Sequence, residues 1–324
     1  MISSLYGLYD KQEPTEERDG LPAMRAPQSE DPLREWSFVR WQSAIYNLYG
    51  NDHPRLGVLL LLRYFAVDGR WFKPPTYGVE TTRGPLLKLY DLPTSLVPRY
   101  GIRLGVGPAD LTRYSGYSDP LGGEFSATTV PFAEIAGCPV GLSGSHALGL
   151  ATSTSDLDLV LYGPTPQESG RRLLASVSPG DLDPRPLSRV VRRFFDLAGH
   201  EVRYLPLRNL FHGTLTWQGR TKKLDLSYAP SEASVRLGTL DAGSTLGDPW
   251  LARLSVLDTA ERCFSPGSIR CETASGRPYR VWIRDRTMRY LLPGDRIVLR
   301  GRRTTSDEGE DLVGEEVVEL ELRR

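Results

Sequence analysis

One stretch of this chain, from residue 138 to residue 162, constrains the fold more than any other. Residues 138–142 form a short apolar run, Gly144 to Leu150 can turn into a helix, and Leu157 to Tyr162 is an apolar run with acids at its start. This order predicts a strand, a Gly-Ser turn, a helix and a second strand.

The turn and the acids carry residue types that phosphate and metal chemistry require together. Gly144 and Ser145 stand where a turn enters a helix, so backbone N–H groups and a hydroxyl are available to hold the phosphates of a nucleotide. Asp156 and Asp158 alternate along a strand, and their carboxylates therefore point to the same face. We expect a Mg²⁺ site, or a Mn²⁺ site, at this face.

A third acid occurs later in the chain, in the triplet Leu224-Asp225-Leu226 on a predicted strand over residues 220–228. If that strand lies beside the first, Asp225 faces the same cleft. A third carboxylate would complete a two-metal site and help to activate an incoming hydroxyl.

Gly144-Ser145, a gap of ten residues, Asp156-Leu-Asp158-Leu and the later Leu-Asp225-Leu resemble the signature of the DNA polymerase beta nucleotidyltransferase superfamily, over residues 138–228. The wider sequence, with Gly-Ser-His-Ala-Leu-Gly-Leu before Ser-Asp-Leu-Asp-Leu-Val-Leu-Tyr-Gly, also resembles uncharacterised archaeal predicted nucleotidyltransferases. The resemblance implies an α+β nucleotidyltransferase fold, in which helices pack on a small mixed sheet. It also implies transfer of a nucleoside monophosphate from a triphosphate, with ATP as a generic guess, to a hydroxyl.

The resemblance also implies a role for each matched residue. Gly144 and Ser145 would hold the triphosphate, Asp156 and Asp158 would bind both metals, and Asp225 would be the third ligand and would help to deprotonate the acceptor. The neighbouring candidates for nucleotide binding are His146 and Ser155. For His146 a local hydrogen bond at the start of the helix is the competing interpretation.

The rest of the chain divides into segments that differ in composition and hydrophobic pattern. The full length of 324 residues favours two or three domains. We predict a flexible arm over 1–33, a β-rich module over 34–95, the catalytic domain over 96–245 and a small closed β-barrel over 246–324. Residues 186–197 read as an amphipathic helix. The barrel either belongs to the oligonucleotide-binding type, with Tyr279, Arg280 and Trp282 for stacking and charge, or only packs on the catalytic domain.

Charge and cysteine usage exclude several classes. A formal net charge of +0 argues against a protein that coats nucleic acid by bulk charge. Only five of the 40 positive residues are lysine, and this arginine bias is more typical of a GC-rich genome than of phosphate binding. Three widely spaced cysteines indicate neither disulfides nor zinc. Without a membrane span or a signal pattern, we expect a cytoplasmic protein with no membrane partner.

Several other residues have both a functional and an ordinary interpretation. Arg189, Arg192 and Arg193 can hold a triphosphate or a nucleic-acid backbone, or form a solvated helix face. His53 and His212 have no partner at metal-binding spacing and are predicted to lie in loops. The segment 104–109 weakly resembles the Gly-x-Gly core of a helix-hairpin-helix DNA-binding motif.

Three functions fit these patterns. The leading one is an enzyme that transfers NMP to a hydroxyl on RNA, DNA, a protein or a small molecule. The second is a sensor that binds a nucleotide or RNA without turnover, against which the retention of Asp156 and Asp158 argues. The third is an antitoxin-like enzyme that modifies a partner protein.

Overall fold

The computed structural model describes residues 38–41, 44–48, 58–67, 70–72, 94–97, 103–104, 132–148, 151, 155–163, 166–177, 189–198, 208–217, 220–229, 247–264, 267–306 and 309–323. Within these ranges the chain forms two open sheets and one closed barrel, with helices beside the second sheet. The predicted α+β class is therefore confirmed. The arm over 1–33, His53 and residues 105–109 of the Gly-x-Gly segment lie outside the described residues.

The first sheet is antiparallel throughout and has the order β4-β3-β2-β1-β6, with β5 paired to β3. Its strands are β1 (Phe38–Trp41), β2 (Ala44–Leu48), β3 (Val58–Val67), β4 (Arg70–Phe72), β5 (Thr94–Val97) and β6 (Arg103–Leu104). The apolar runs of the predicted β-rich module form β1 to β3, and β6 continues the sheet to residue 104. Phe38, Ile45 and Tyr64 are buried in the same core as the second sheet, so the two sheets are packed together.

The second sheet is mixed and has the order β7-β8-β10-β9. Its strands are β7 (Val140–Leu142), β8 (Leu157–Tyr162), β9 (His212–Trp217) and β10 (Arg220–Ala229). β8 and β10 are parallel, whereas β7 and β9 run antiparallel to their neighbours. Leu157, Leu159 and Leu161 of β8 are buried on one face. Strand alternation therefore assigns Asp158 of β8 to the opposite face.

Four helices accompany this sheet: α1 (132–136), α2 (Gly144–Ala147), α3 (Pro166–Val177) and α4 (Arg189–Ala198). The amphipathic pattern of α4 is confirmed, because Val191 and Phe194 are buried while Arg192 and Arg193 are exposed. α2 is a single turn. α2 can therefore offer its backbone N–H groups to a phosphate, but not the dipole of a long helix.

The barrel closes in the order β11-β12-β13-β15-β14, as a small closed barrel was predicted to. Its strands are β11 (Pro249–Asp258), β12 (Ser268–Thr273), β13 (Pro278–Ile283), β14 (Arg296–Ser306) and β15 (Gly309–Glu321), with a 3-10 helix at Arg286–Tyr290. β13 and β15 are parallel and the remaining pairs are antiparallel. Apolar side chains such as Ile269, Val281 and Leu299 fill the interior.

The three barrel residues proposed for stacking and charge are not on an open surface. Tyr279 is 6% exposed and belongs to the barrel core, and Trp282 is 1% exposed and donates from its indole to Asp311 at 2.9 Å. Arg280 is 8% exposed and lies over the Trp282 ring at 5.7 Å. Of the two alternatives for the barrel, the burial of these three side chains does not support the one in which they offer a face for stacking and charge.

A buried ion pair joins the segment before β9 of the second sheet to the barrel. Arg208, just before β9, binds the carboxylate of Asp295 with both terminal nitrogens, and the two side chains are 3% and 0% exposed. Asp295 also accepts from the backbone N–H groups of Leu292 and Arg323. Tyr290 adds an aromatic contact, with its ring 5.5 Å from that of Phe194. Polar and apolar contacts together thus fix the barrel to α4 and to the segment before β9.

Among the described residues, no helix is long and apolar enough to cross a membrane. The cysteines are free, in agreement with the sequence. Burial raises the pKa of Cys263 to about 11 and that of Cys271 to about 12, so both thiols remain protonated core groups near neutral pH.

We predict that Asp295→Asn will strongly destabilise the protein, because it leaves the Arg208 guanidinium buried without its counter-charge. Loss of one partner of a buried pair costs about 3–5 kcal/mol in the free energy of unfolding, measured here by urea titration. The matched control is Glu319→Gln, at an exposed pair with Arg253 whose atoms are 3.7 Å apart. This control should change stability by less than about 1 kcal/mol, and equal effects of the two variants would refute the prediction.

Candidate active site

The pairing of β8 with β10 brings the predicted acids together. The two strands are parallel, and Asp225 lies directly opposite Asp158 in the register. Asp156 precedes Asp158 by two residues and therefore shares its face. The expectation that the strand carrying Asp225 lies beside the first acidic strand is confirmed. Three carboxylates consequently lie at one end of the sheet on one face.

Gly144 lies in direct contact with this acidic face. A Cβ atom at Gly144 would lie 1.8 Å from the Oδ2 atom of Asp158, and the residue has a φ of +66°. The backbone N–H of Ser143 also donates to the carbonyl oxygen of Asp158 at 2.8 Å. Only glycine satisfies both the positive φ and the close approach. The Gly-Ser turn and the first acidic strand therefore form one structural unit.

The candidates for nucleotide binding lie around this unit at different depths. Ser145 is half-buried and shares a hydrogen bond with Tyr64 of β3, whereas His146 is 3% exposed. Ser155 is half-buried in the segment that leads into Asp156. Burial raises the pKa of Tyr64, and the nearby Asp158 carboxylate raises it further. The first sheet thus contributes a tyrosine hydroxyl to the wall of the candidate site.

Lys223 spans two of the three acids. Its Nζ atom is 2.8 Å from Asp225 Oδ2 and 3.3 Å from Asp156 Oδ2. Its position follows from the register, since Lys223 precedes the Leu224–Leu157 pair by one residue and lies on the same face as Asp225. The ammonium group neutralises part of the negative charge of Asp156 and Asp225.

His212 is the other partner of Asp225. Its Nδ1 atom donates to Asp225 Oδ1 over 2.8 Å, from the first position of β9 opposite Asp225. The prediction that His212 lies in a loop is therefore wrong. Asn209 fixes this histidine, because it donates to the His212 carbonyl at 2.6 Å and accepts from its backbone N–H at 3.2 Å.

These partners determine the ionisation of the site. Burial by itself would raise the pKa of Asp225, but the hydrogen bond and charge of His212 and the charge of Lys223 hold it below the usual value. Burial would lower the pKa of Lys223, and the attraction of Asp225 and Asp156 outweighs it, so this pKa is raised. Both effects favour an ion pair near neutral pH.

The residues fit a divalent cation in type. Carboxylate oxygens are the ligands that Mg²⁺ prefers, and the closeness of Gly144 to Asp158 keeps that carboxylate at the entrance of the turn. The described residues contain no group of three His, Cys, Asp or Glu side chains arranged to hold a metal ion. In this arrangement the positive charge beside Asp156 and Asp225 is the Lys223 ammonium.

Three site residues were not identified from the sequence. Lys223 could have been found, since it stands two residues before Asp225 on a predicted strand and alternation puts both on one face. His212 had no such signal, because β9 itself was not predicted. Tyr64 comes from a different sheet, and nothing in its local sequence indicates the contact with Ser145.

The arginines of α4 support the ordinary interpretation of a helix face. Arg193 is 46% exposed and pairs with Glu316 of the barrel at 3.2 Å and with Asp285 at 3.6 Å. Arg192 is exposed. The pairing of Arg193 links α4 to the barrel rather than to the acidic face.

We predict that Gly144→Ala will disrupt the site as well as strain the backbone, because the new Cβ atom would displace the Asp158 carboxylate. The control is Gly276→Ala, where φ is +78° and nothing lies within 4 Å of the new Cβ. Gly276→Ala should cost about 1–2 kcal/mol from the positive φ alone, and Gly144→Ala should cost more. Mn²⁺ affinity by calorimetry should fall only in Gly144→Ala, and a fall of the same size in both would contradict this account.

We predict an acid-dependent stability contribution from Asp225. A carboxyl group with a lowered folded pKa stabilises the protein above its unfolded pKa, and that contribution is lost as the pH falls through the folded value. The difference in unfolding free energy between wild type and Asp225→Asn should therefore be constant at neutral pH and shrink below pH 3.8, the ordinary value for this group. Urea titrations over a pH series, with Glu319→Gln as a baseline, test it; a difference independent of pH would contradict it.

Comparison of this chain with protein-family models, with curated proteins and with solved structures finds no significant match in any of the three.

Proposed function

We propose that the protein is a metal-dependent nucleotidyltransferase that moves an NMP group from an NTP to a hydroxyl acceptor. One observation supports the proposal above the others: Asp225 lies in register beside Asp158 on the parallel strands β10 and β8. Two carboxylates from distant parts of the chain meet there, next to a Gly-Ser turn that touches one of them. This combination of acids and phosphate-binding backbone suits nucleotidyl transfer.

In this proposal each part of the site has a separate task. Asp156, Asp158 and Asp225 would hold Mg²⁺ or Mn²⁺, which when bound neutralises the phosphate charge and aligns the attacking and leaving oxygens. Gly144 and Ser145 would hold the phosphates through backbone N–H groups and the hydroxyl. His146 and Ser155 flank these elements, and we assign them supporting roles in nucleotide binding.

The proposed reaction exchanges one P–O bond for another. The acceptor oxygen forms a bond to the α-phosphorus of the NTP while the bond from that phosphorus to the bridging oxygen breaks, and pyrophosphate leaves. Asp225 takes the proton from the acceptor hydroxyl. Its side chain is 26% exposed and its lowered pKa keeps it ionised, so it is both accessible and unprotonated near neutral pH.

We leave the acceptor open among RNA, DNA, protein and small molecules, with ATP as the first donor to test. The described outer surface of the barrel does not favour an anionic polymer there. Arginines of β14 pair across to glutamates of β15, as Arg302 does with Glu315 at 3.2 Å and Arg303 with Glu310 at 3.4 Å. A face whose cations are already paired attracts phosphates weakly.

A second candidate is a sensor that binds a nucleotide without turnover. The observation that favours it is the Lys223 ammonium, which lies between Asp156 and Asp225 and gives the acidic face a positive partner without any metal. An antitoxin-like enzyme that modifies a partner protein uses the same chemistry as the first proposal and differs only in the acceptor.

We predict that the wild-type protein, with Mg²⁺ or Mn²⁺, will transfer labelled NMP from an NTP to one of a panel of RNA, DNA and protein acceptors. Asp156→Asn and Asp158→Asn should each lower the rate by about 100-fold or more, because loss of even an outer-shell partner of a metal costs about 10–100-fold. Asp225→Asn should slow transfer while nucleotide binding, measured by calorimetry, persists.

The control for these variants is Asp258→Asn, which changes an exposed aspartate in the barrel and should leave the transfer rate unchanged. Tight NTP binding without transfer to any acceptor would support the sensor instead. NMP transfer that persists in both Asp156→Asn and Asp158→Asn would refute the assignment of this site as the nucleotidyltransferase active site.

A further inference from the structure

The ammonium group of Lys223 occupies the position that a metal cation bound to Asp156 and Asp225 would also occupy. Its Nζ atom lies within hydrogen-bonding distance of both carboxylates, at 3.3 Å and 2.8 Å, and its side chain is 28% exposed. The lysine is therefore neither a freely solvated surface residue nor a core residue. It is a tethered positive charge placed within the acidic face.

A divalent metal and this ammonium cannot share the same carboxylate oxygens in the same way. Mg²⁺ requires oxygen ligands at about 2.0–2.1 Å, and an oxygen so engaged has less capacity to accept from Lys223. A divalent ion and an ammonium about 4 Å apart also repel, by enough to weaken metal binding about 30-fold even at the dielectric constant of water. Binding of the metal therefore requires Lys223 to move away.

The displaced ammonium needs a new anion. His212 already donates to Asp225, so this aspartate keeps one partner, whereas Lys223 loses its contacts to Asp225 and Asp156 together. The Gly144-Ser145 turn, which touches Asp158, is where the proposed function places the triphosphate. A triphosphate bound there would bring the missing negative charge into the same site.

We propose that Lys223 is a positioning residue that holds Asp156 and Asp225 while the metal is absent and exchanges with the metal, so that metal and nucleotide bind cooperatively. This inference rests on the proposed function for the identity of the nucleotide. Metal alone binds weakly because it must displace the ammonium, and metal together with a triphosphate binds tightly because the ammonium then pairs with a phosphate. The coupling is reciprocal, as any binding linkage must be.

The test is calorimetric titration of Mn²⁺ into wild type, Lys223→Met and Lys223→Arg, with and without a non-hydrolysable NTP, at constant pH and salt. Lys223→Met should bind Mn²⁺ alone about 30-fold more tightly than wild type, and the nucleotide should enhance Mn²⁺ binding less than in wild type. Lys223→Arg keeps the charge and should stay close to wild type. Lys222→Met removes the same charge one residue earlier and is the matched control.

A measurement on the wild-type protein covers the case in which Lys223→Met does not fold. Amine-selective acylation read by mass spectrometry should label Lys223 faster after Mn²⁺ is added, with the rate at Lys222 as internal reference. Unchanged labelling, or equal Mn²⁺ affinities in wild type and Lys223→Met, would overturn the inference even if NMP transfer is observed. Tighter Mn²⁺ binding in Lys223→Met without NMP transfer to any acceptor would support the exchange of Lys223 with the metal and refute the proposed enzymatic activity.

Discussion

The candidate site depends on one pairing, the parallel register of β8 and β10. It places Asp158 beside Asp225, although 67 residues separate them in the chain, and strand alternation adds Asp156 and Lys223 on the same face. A slip of one residue would turn Asp225 toward the buried face and Leu226 toward the acids. The burial of Leu224 and Leu226 on the core side opposes that slip, so the hydrophobic core fixes the geometry of the polar site.

The acids lie close together because the fold supplies compensating groups. Lys223 and His212 contact the two carboxylate oxygens of Asp225, and Asn209 holds the backbone of His212. Like charges at this separation would otherwise raise each other's pKa and destabilise the fold. The acidic face therefore carries its own positive partners, Lys223 and His212, within the described structure.

The first sheet and the barrel contribute to the second sheet in different ways. The first sheet supplies Tyr64, which reaches Ser145 across the shared core. The barrel is joined through the buried Arg208–Asp295 pair, and its arginines pair with its own glutamates. Some of the many arginines of this sequence thus form cross-strand ion pairs at the barrel surface, and such pairs add small increments of stability.

The sequence by itself determined the strand, turn and strand around Gly144, Asp156 and Asp158, the amphipathic helix α4 and the strand of Asp225, because period and turn chemistry are local properties. It did not reveal α3 or β9, whose apolar positions are sparse, and it placed His212 in a loop. The tertiary structure alone decided the partners of Asp225 and the burial of Trp282. Such contacts join residues that are distant in sequence. The hydrophobic periodicity of one strand does not specify which side chains of another strand it will contact.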